Sequence, residues 1–215
     1  VWSLTVTFLQ MWETESGVQE DYRNYRPTVK VPSDGFCHPF ADGPLNLHNP
    51  AENMYRQVIS NAKEYVYITT PYLVVDKSMS DTLCTAAKAG TDVRIITPKV
   101  YDQWYVHIVT RSNYGRLLEA GVRIYEYTPG YIHAKTILSD DDQAIIGSIN
   151  MDYRSFNLQF ENGVWLCGAS VLKAMKDDIL ATIAVSEEID LHSWRRRPWT
   201  AKILEKVLRI FAPLF

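Results

Sequence analysis

The chain has 215 residues, 47% of them hydrophobic and 22% charged, which suits one globular α/β or α+β domain with appended segments and a core that needs no covalent staples. A formal net charge of −3 and a pI near 6.0 deny it a global positive field, so a nucleic-acid substrate starts at a disadvantage. No stretch reaches the roughly 20 apolar residues of a spanning helix, and no basic region followed by an apolar one opens the chain. Cys37, Cys84 and Cys167 are odd in number, far apart and outside any C-x-x-C pair, and so read as free, buried thiols of a reducing compartment.

The chain starts at Val1 inside an apolar-periodic segment, as an excised piece of a longer polypeptide would. Val1, Leu4, Phe8 and Trp12 recur at helical spacing and predict a helix over residues 1 to about 15. The polar stretch from there to "LNLHNP" predicts linker and irregular structure, with one short strand near residues 28–31. From Pro50 the pattern becomes regular. Tyr55, Val58, Ile59 and Ala62 mark a helical face, and "YVYITT" (65–70) is rich in β-branched and aromatic residues, as a strand is. A second helix runs from about 78 to a stop at Gly90 and is followed by the strand "DVRIIT". A third runs from about 103 to Gly121 and is followed by "VRIYEY". The stretches "AAKAGTDVRIITP" and "LLEAGVRIYEYTP" are a small repeat of helix, glycine stop and apolar strand, the pattern of a parallel sheet flanked by helices.

After Pro129 come back-to-back strands, "AKTILS", "QAIIGS" and "NLQFENGVWLC", which predict antiparallel pairing on the edge of that sheet. A helix with Leu172, Met175, Ile179 and Ile183 on one face closes the domain, and "HSWRRRPWTAKILEKVLRIFAPLF" forms a distinct tail. The expected division is therefore 1–49, an end helix plus linker; 50–190, the chemical domain; and 191–215, a basic amphipathic tail helix.

Within the antiparallel part, residues two apart on a strand point the same way, so His133 and Lys135 share one face and Ser148 and Asn150 share another. If Asp141 and Asp142 form a two-residue hairpin turn, Asp140 pairs with Gln143, which sets Lys135 opposite Ser148 and His133 opposite Asn150. Asn157, Gln159 and Glu161 form a further alternate-residue polar face able to bring a carboxylate towards the histidine. Such a cluster suits a phosphate. The His133 imidazole can attack phosphorus if its other nitrogen donates to a carboxylate such as Glu161, while Lys135, Ser148 and Asn150 hold the phosphoryl oxygens.

These residues carry a resemblance. "HAKTILSD" is H-x-K-x-x-x-x-D, and with "GSIN" it is similar to the signature of the phospholipase D superfamily. The M-D-x-R-S continuation, together with "NAKEYVYITTPYLVVD", "AAKAGTDVRIITPK" and "RLLEAGVRIYEYTPG", resembles bacterial cardiolipin synthases over most of residues 50–190. The resemblance implies an α/β/α sandwich with a mixed central sheet flanked by helices, one of the two repeats of a full enzyme, corresponding to its C-terminal half. It implies His133 as the catalytic histidine, Lys135, Ser148 and Asn150 as phosphate ligands and Glu161 as the partner orienting His133. Asp140 belongs to the motif but is implied to be mainly structural. No metal and no cofactor are implied.

The superfamily uses two such motifs and this chain has one, since His38, His48, His107 and His192 are not followed by lysine two residues on. The second comes from a missing N-terminal half or from a second copy across a twofold axis; "VWSLTVTFLQMWE" resembles the helix that ends the preceding repeat and favours the first. His107 reads as a packed or pocket-edge histidine. Tyr72, Tyr105, Arg111, Tyr114 and Tyr131, with Trp104 and Tyr153, are candidates for a headgroup pocket. In the tail, Ile203, Leu204, Val207, Leu208 and Phe211 form an apolar stripe beside Arg195, Arg196, Arg197, Lys202, Lys206 and Arg209. That is the pattern of an interfacial helix on anionic lipid, or of a helix docked on the domain or on the missing half.

The expected reaction is phosphatidyl transfer between two phosphatidylglycerol molecules, giving cardiolipin and glycerol through a phosphohistidine. The expected setting is the cytoplasmic face of a bacterial plasma membrane, reached through segments absent here, with the fragment itself soluble and no nucleic-acid partner. A homodimeric phosphodiesterase or nuclease, or a non-catalytic lipid-binding module, are the alternatives.

Overall fold

The alternating apolar residues of the chain's strands sort onto two faces of one sheet, in a computed structural model that describes residues 1–46 and 48–211. The elements in order are α1 (Trp2–Ser16), a 3-10 turn (Tyr22–Tyr25), β1 (Phe36–Asp42), α2 (Pro50–Asn61), β2 (Tyr65–Thr69), β3 (Leu73–Val74), α3 (Lys77–Lys88), β4 (Asp92–Pro98), α4 (Trp104–Ser112) and α5 (Tyr114–Glu119). They continue with β5 (Arg123–Tyr127), β6 (Thr136–Ser139), β7 (Gln143–Gly147), β8 (Met151–Asp152), α6 (Tyr153–Asn157), β9 (Glu161–Cys167), α7 (Val171–Ala184), β10 (Ser186–Glu188), α8 (Leu191–Arg195) and α9 (Trp199–Ile210). Eight strands form one mixed sheet in the order β1-β9-β7-β6-β2-β4-β5-β10, and β3 pairs with β8 in a small second sheet.

The small repeat builds the centre of the sheet as expected: β2, β4 and β5 lie side by side in parallel. Gly90 and Gly121, which follow α3 and α5, adopt φ of +103° and +98°, a region that only a residue without Cβ enters freely, so the chain turns there into the next strand. Val66, Ile68, Val93, Ile95, Ile124, Ile137 and Ile145 pack on one face beneath α2, α3, α5 and α8. Their alternate neighbours Tyr65, Tyr67, Ile96, Tyr125, Leu138 and Ala144 pack on the other beneath Leu172 and Ile179 of α7. Both faces are covered, so the α/β/α sandwich with a mixed sheet is what the chain adopts.

Three expectations about elements are corrected. Residues 28–31 form no strand; the strand in that region is β1, which pairs antiparallel with β9 at the rim of the sheet. The linker expected over 1–49 therefore contributes an edge strand, where Pro39 is tolerated because its missing N–H costs no ladder bond on the open side, and where Cys37 is exposed, unlike buried Cys84. The expected helix over 103–121 is two, α4 and α5. Asn113 sits at the break and its side-chain amide donates to Leu73 O at 2.9 Å, tying the break to β3. The tail likewise is two helices separated at Pro198, with Trp194 of α8 buried in the core; residues 212–215 of the expected tail, and Leu47 of the linker, lie outside the described residues.

Candidate active site

The hairpin that carries the motif is one residue out of the expected register. Ser139, not Asp140, pairs with Gln143, so Asp140, Asp141 and Asp142 form a three-residue loop, and Gly147 N donates to Lys135 O at 3.3 Å. The cause lies in the aspartates. Asp140 leaves the strand at φ +53° and its carboxylate accepts from the backbone amides of Lys63 (2.7 Å), Glu64 (3.0 Å) and Tyr65 (2.9 Å). Asp141, at φ +56°, accepts from the Tyr65 hydroxyl and from Lys176 Nζ, both at 2.7 Å. Asp140 thus pins the start of β2, and its carboxylate is spent on that turn.

His133 and Lys135 precede β6, in the extended segment that follows β5. The two differ in burial, although the Lys135 charge still acts on the His133 imidazole. His133 is exposed; Lys135 is buried and folds back so that Nζ donates to His133 O at 2.7 Å. Ser148 and Asn150 follow β7, and Glu161 begins β9. The ends of these antiparallel strands coincide with the carboxyl ends of parallel β2, β4 and β5, the edge at which open α/β sheets bind ligands.

Behind this edge is a set of satisfied hydrogen bonds. Glu161, buried, accepts from the Ser148 hydroxyl and from Ser155 Oγ at 2.8 Å, and the Asn162 amide donates to Ser148 Oγ at 3.0 Å. These bonds aim Glu161 at Ser148 and Ser155 and not at His133. Asp152, also buried, caps α6 through Ser155 N at 2.7 Å. Burial pushes the Lys135 ammonium down, while the Glu161 and Asp152 carboxylates pull it back. Asp152 and Ser155 stand within the M-D-x-R-S continuation, where sequence reading assigned them no role.

A carboxylate outside the motif, Asp102, lies close enough for its charge to act on His133. Burial lowers the imidazole's pKa, the Lys135 charge lowers it further, and Asp102 opposes both. Asp102 Oδ2 accepts from the Tyr72 hydroxyl at 2.5 Å, Tyr131 OH donates to Tyr72 OH at 3.2 Å, and the Tyr131 ring lies 5.5 Å from the His133 ring at 31°. Burial acts to raise the Asp102 pKa, but hydrogen bonds from Tyr72, the Gln103 amide and Tyr131 prevail and hold it below the usual range.

A cleft of about 300 Å³ opens beside these groups, lined by Tyr72, Tyr105, Asn150, Asp152, Arg154 and Gln159 among others. Asn150 Oδ1 is buried there without a hydrogen-bond partner. Of the expected pocket residues, Tyr72 and Tyr105 line the cleft and Tyr131 stands exposed beside His133, with Trp104 and Tyr153 also exposed. Arg111 and Tyr114 turn inward instead. Arg111 faces buried Glu126 at 3.4 Å and the Trp194 ring, and Tyr114 is fully buried with its hydroxyl 2.6 Å from Thr97 Oγ1. His107 stacks on Tyr101 at 5.0 Å, and burial brings its pKa down to about 4.

An α/β/α half-domain with this edge constellation has the phospholipase D fold. Phosphatidylserine synthase from Haemophilus influenzae superimposes with a TM-score of 0.66 at 17% identity, over 87% of this chain and 49% of that one. Nuc from Salmonella typhimurium, a phospholipase D family member, does so with a TM-score of 0.58 at 16% identity, over 71% of this chain and 99% of that one. The chain belongs to the family described as "Cardiolipin synthase, PLD-like domain", whose model matches residues 55–182. A relative named cardiolipin synthase from Halalkalibacterium halodurans is 34% identical over 215 residues, covering 99% of this chain and 42% of its own length. The chain spans less than half the length of the curated relatives it matches. Among the described residues no helix is long and apolar enough to cross a membrane.

Proposed function

We propose that this chain supplies one of two histidine half-sites for phosphatidyl transfer between two phosphatidylglycerol molecules, forming cardiolipin and releasing glycerol. In the first step a neutral His133 nitrogen attacks phosphorus, the bond to the leaving glycerol oxygen breaks, and a second histidine protonates that oxygen. In the second, the same partner histidine takes the proton from the hydroxyl of another phosphatidylglycerol; that oxygen attacks phosphorus and the P–N bond breaks. Lys135 and the Asn150 side-chain amide hold the non-bridging oxygens, joined by Ser148 once its hydroxyl turns from Glu161 to the phosphate, and the lowered pKa of His133 keeps its lone pair free at neutral pH.

The observation that carries this reading is an exposed imidazole acted on by the charge of buried Lys135, on the sheet edge where Asn150 lines the cleft and keeps an unsatisfied Oδ1. A buried amide oxygen with no partner costs on the order of 1–3 kcal/mol, which a ligand donor or a water bound with the phosphate would recover. Membership of the family supports phosphatidyl transfer, and the incomplete coverage of the relatives supports a second half-site from elsewhere. The test is cardiolipin and glycerol formation from labelled phosphatidylglycerol by the full-length parent. His133→Ala should reduce it by about three orders of magnitude or more, as loss of a nucleophile does, and acid-labile label should be trapped on wild-type protein only. Intact transfer in His133→Ala, or plasmid cleavage without transfer, would overturn the reading.

A further inference from the structure

Helix α9 uses only the margin of its apolar surface to hold itself in place. Leu208 packs against Val74, Val106 and Val109, next to Tyr72 and Tyr105 of the cleft. Arg197 pairs with Glu205 and lies 3.1 Å from the centre of the Trp194 ring, and Lys202 Nζ donates to Arg195 O at 2.7 Å. The rest of the apolar surface faces outward. Trp199 is 71% exposed, Ile203 50% and Ile210 75%, with Leu204, Val207 and Phe211 also exposed. At 3.6 residues per turn these six span an arc of about 140°, and Lys202, Lys206 and Arg209 lie on the arc beside it.

Charge marks the same segment. Of 22 Lys and Arg, six fall after residue 190, against one of 25 Asp and Glu. The preceding 190 residues are therefore acidic and the tail basic, which a net charge of −3 conceals. An apolar arc bordered by cations matches the acyl boundary and anionic headgroups of a bilayer. Two α9 helices packed face to face in antiparallel fashion would bring their cationic borders together.

We propose that α9 docks on an anionic phospholipid bilayer and sets the cleft lined by Tyr72 and Tyr105 at the membrane surface. The choice of occupant rests in part on the phosphatidyl-transfer reading, whose substrate resides in such a bilayer, but binding is measured without turnover, so the two fail separately.

The test is co-sedimentation of the chain with vesicles of phosphatidylcholine alone and of an equimolar phosphatidylcholine–phosphatidylglycerol mixture. Binding is expected to the mixture and to fall with salt. Both K206Q/R209Q and I203S/I210S change exposed side chains, so the thermal midpoint should stay near that of the wild type. The charge variant should lose roughly twentyfold in partitioning, at about fivefold per cation, and the apolar variant should lose binding to a comparable extent. Equal binding of wild type and both variants would overturn the proposal. So would a solution dimer that I203S/I210S converts to monomer in a chain that ignores vesicles, which would assign the face to a second copy.

Discussion

At the scale of single residues, the site is organised by groups that the motif does not contain. That His133, Lys135, Ser148, Asn150 and Glu161 gather at one sheet edge was legible in their spacing, although the register that brings them there was not. Asp102 was not, since it lies on a separate loop far from the motif in sequence, bonded to Tyr72 and acting on His133 by its charge. Asp102→Asn removes the charge of the acceptor that holds the Tyr72 hydroxyl, a bond worth about 1.5–3 kcal/mol of stability. It also removes the influence that raises the His133 pKa against burial and the Lys135 charge. The imidazole titration followed by NMR, and the acid limb of the rate profile, should both move to lower pH; an unmoved titration would refute the link. His107 makes a second, separable pH statement. Its pKa is about 4 in the folded chain against 6.5 for a free histidine, so between those values the unfolded chain binds more protons and stability falls as pH is lowered. In His107→Gln the loss of stability between pH 6.5 and 4 should be smaller than in the wild type, as read by denaturant unfolding; parallel curves would show that His107 is not the cause.

At the scale of elements, helix stops and strand composition were readable, but register was not. Three successive aspartates give no local sign of which two make the turn. The decision is made by the amides of Lys63, Glu64 and Tyr65, some 75 residues away in sequence, which draw Asp140 out of the strand. The β1 strand escaped notice for a related reason: an edge strand with Pro39 and a solvent-facing side has neither alternation nor β-branched content to announce it. The end of β7 offers a sharp test of how the site depends on these elements. A Cβ on Gly147 would lie 2.2 Å from Asn162 O, a backbone atom of the opposing strand. Since Asn162 also holds Ser148, Gly147→Ala must part β7 from β9 where Ser148 meets Glu161. Stability should fall by about 1–3 kcal/mol or more, and activity of the full-length parent should fall below what remains of the folded fraction. Unchanged stability would mean that the two strands do not approach so closely.

At the scale of the whole molecule, the sequence showed a regular domain and a distinct tail but not the joint between them. That joint is Trp194, which composition reads only as one aromatic in a basic run. It is buried and packs on the Tyr114 ring at 5.1 Å and against Gly115, while the guanidinium groups of Arg111 and Arg197 lie over its indole at 5.2 and 3.1 Å. One side chain therefore closes the core beneath α5, offers its ring face to Arg111 beside Glu126, and holds Arg197 where it pairs with Glu205 of α9. Trp194→Ala would leave a cavity under α5 and release both arginines, and a buried tryptophan costs about 3–5 kcal/mol to truncate. The loss should be seen in denaturant unfolding. Because α9 hangs from the same residue, trypsin under native conditions should cut after Lys202, Lys206 or Arg209 earlier than in the wild type, before the domain between α2 and α7 is attacked. Trp194→Phe, which keeps an aromatic face for the guanidinium groups, should recover most of the tail's protection and only part of the stability. If instead Trp194→Ala unfolded the domain without any earlier cleavage of the tail, α9 would be held by Leu208 against α4 alone, and Trp194 would belong to the core and not to the joint.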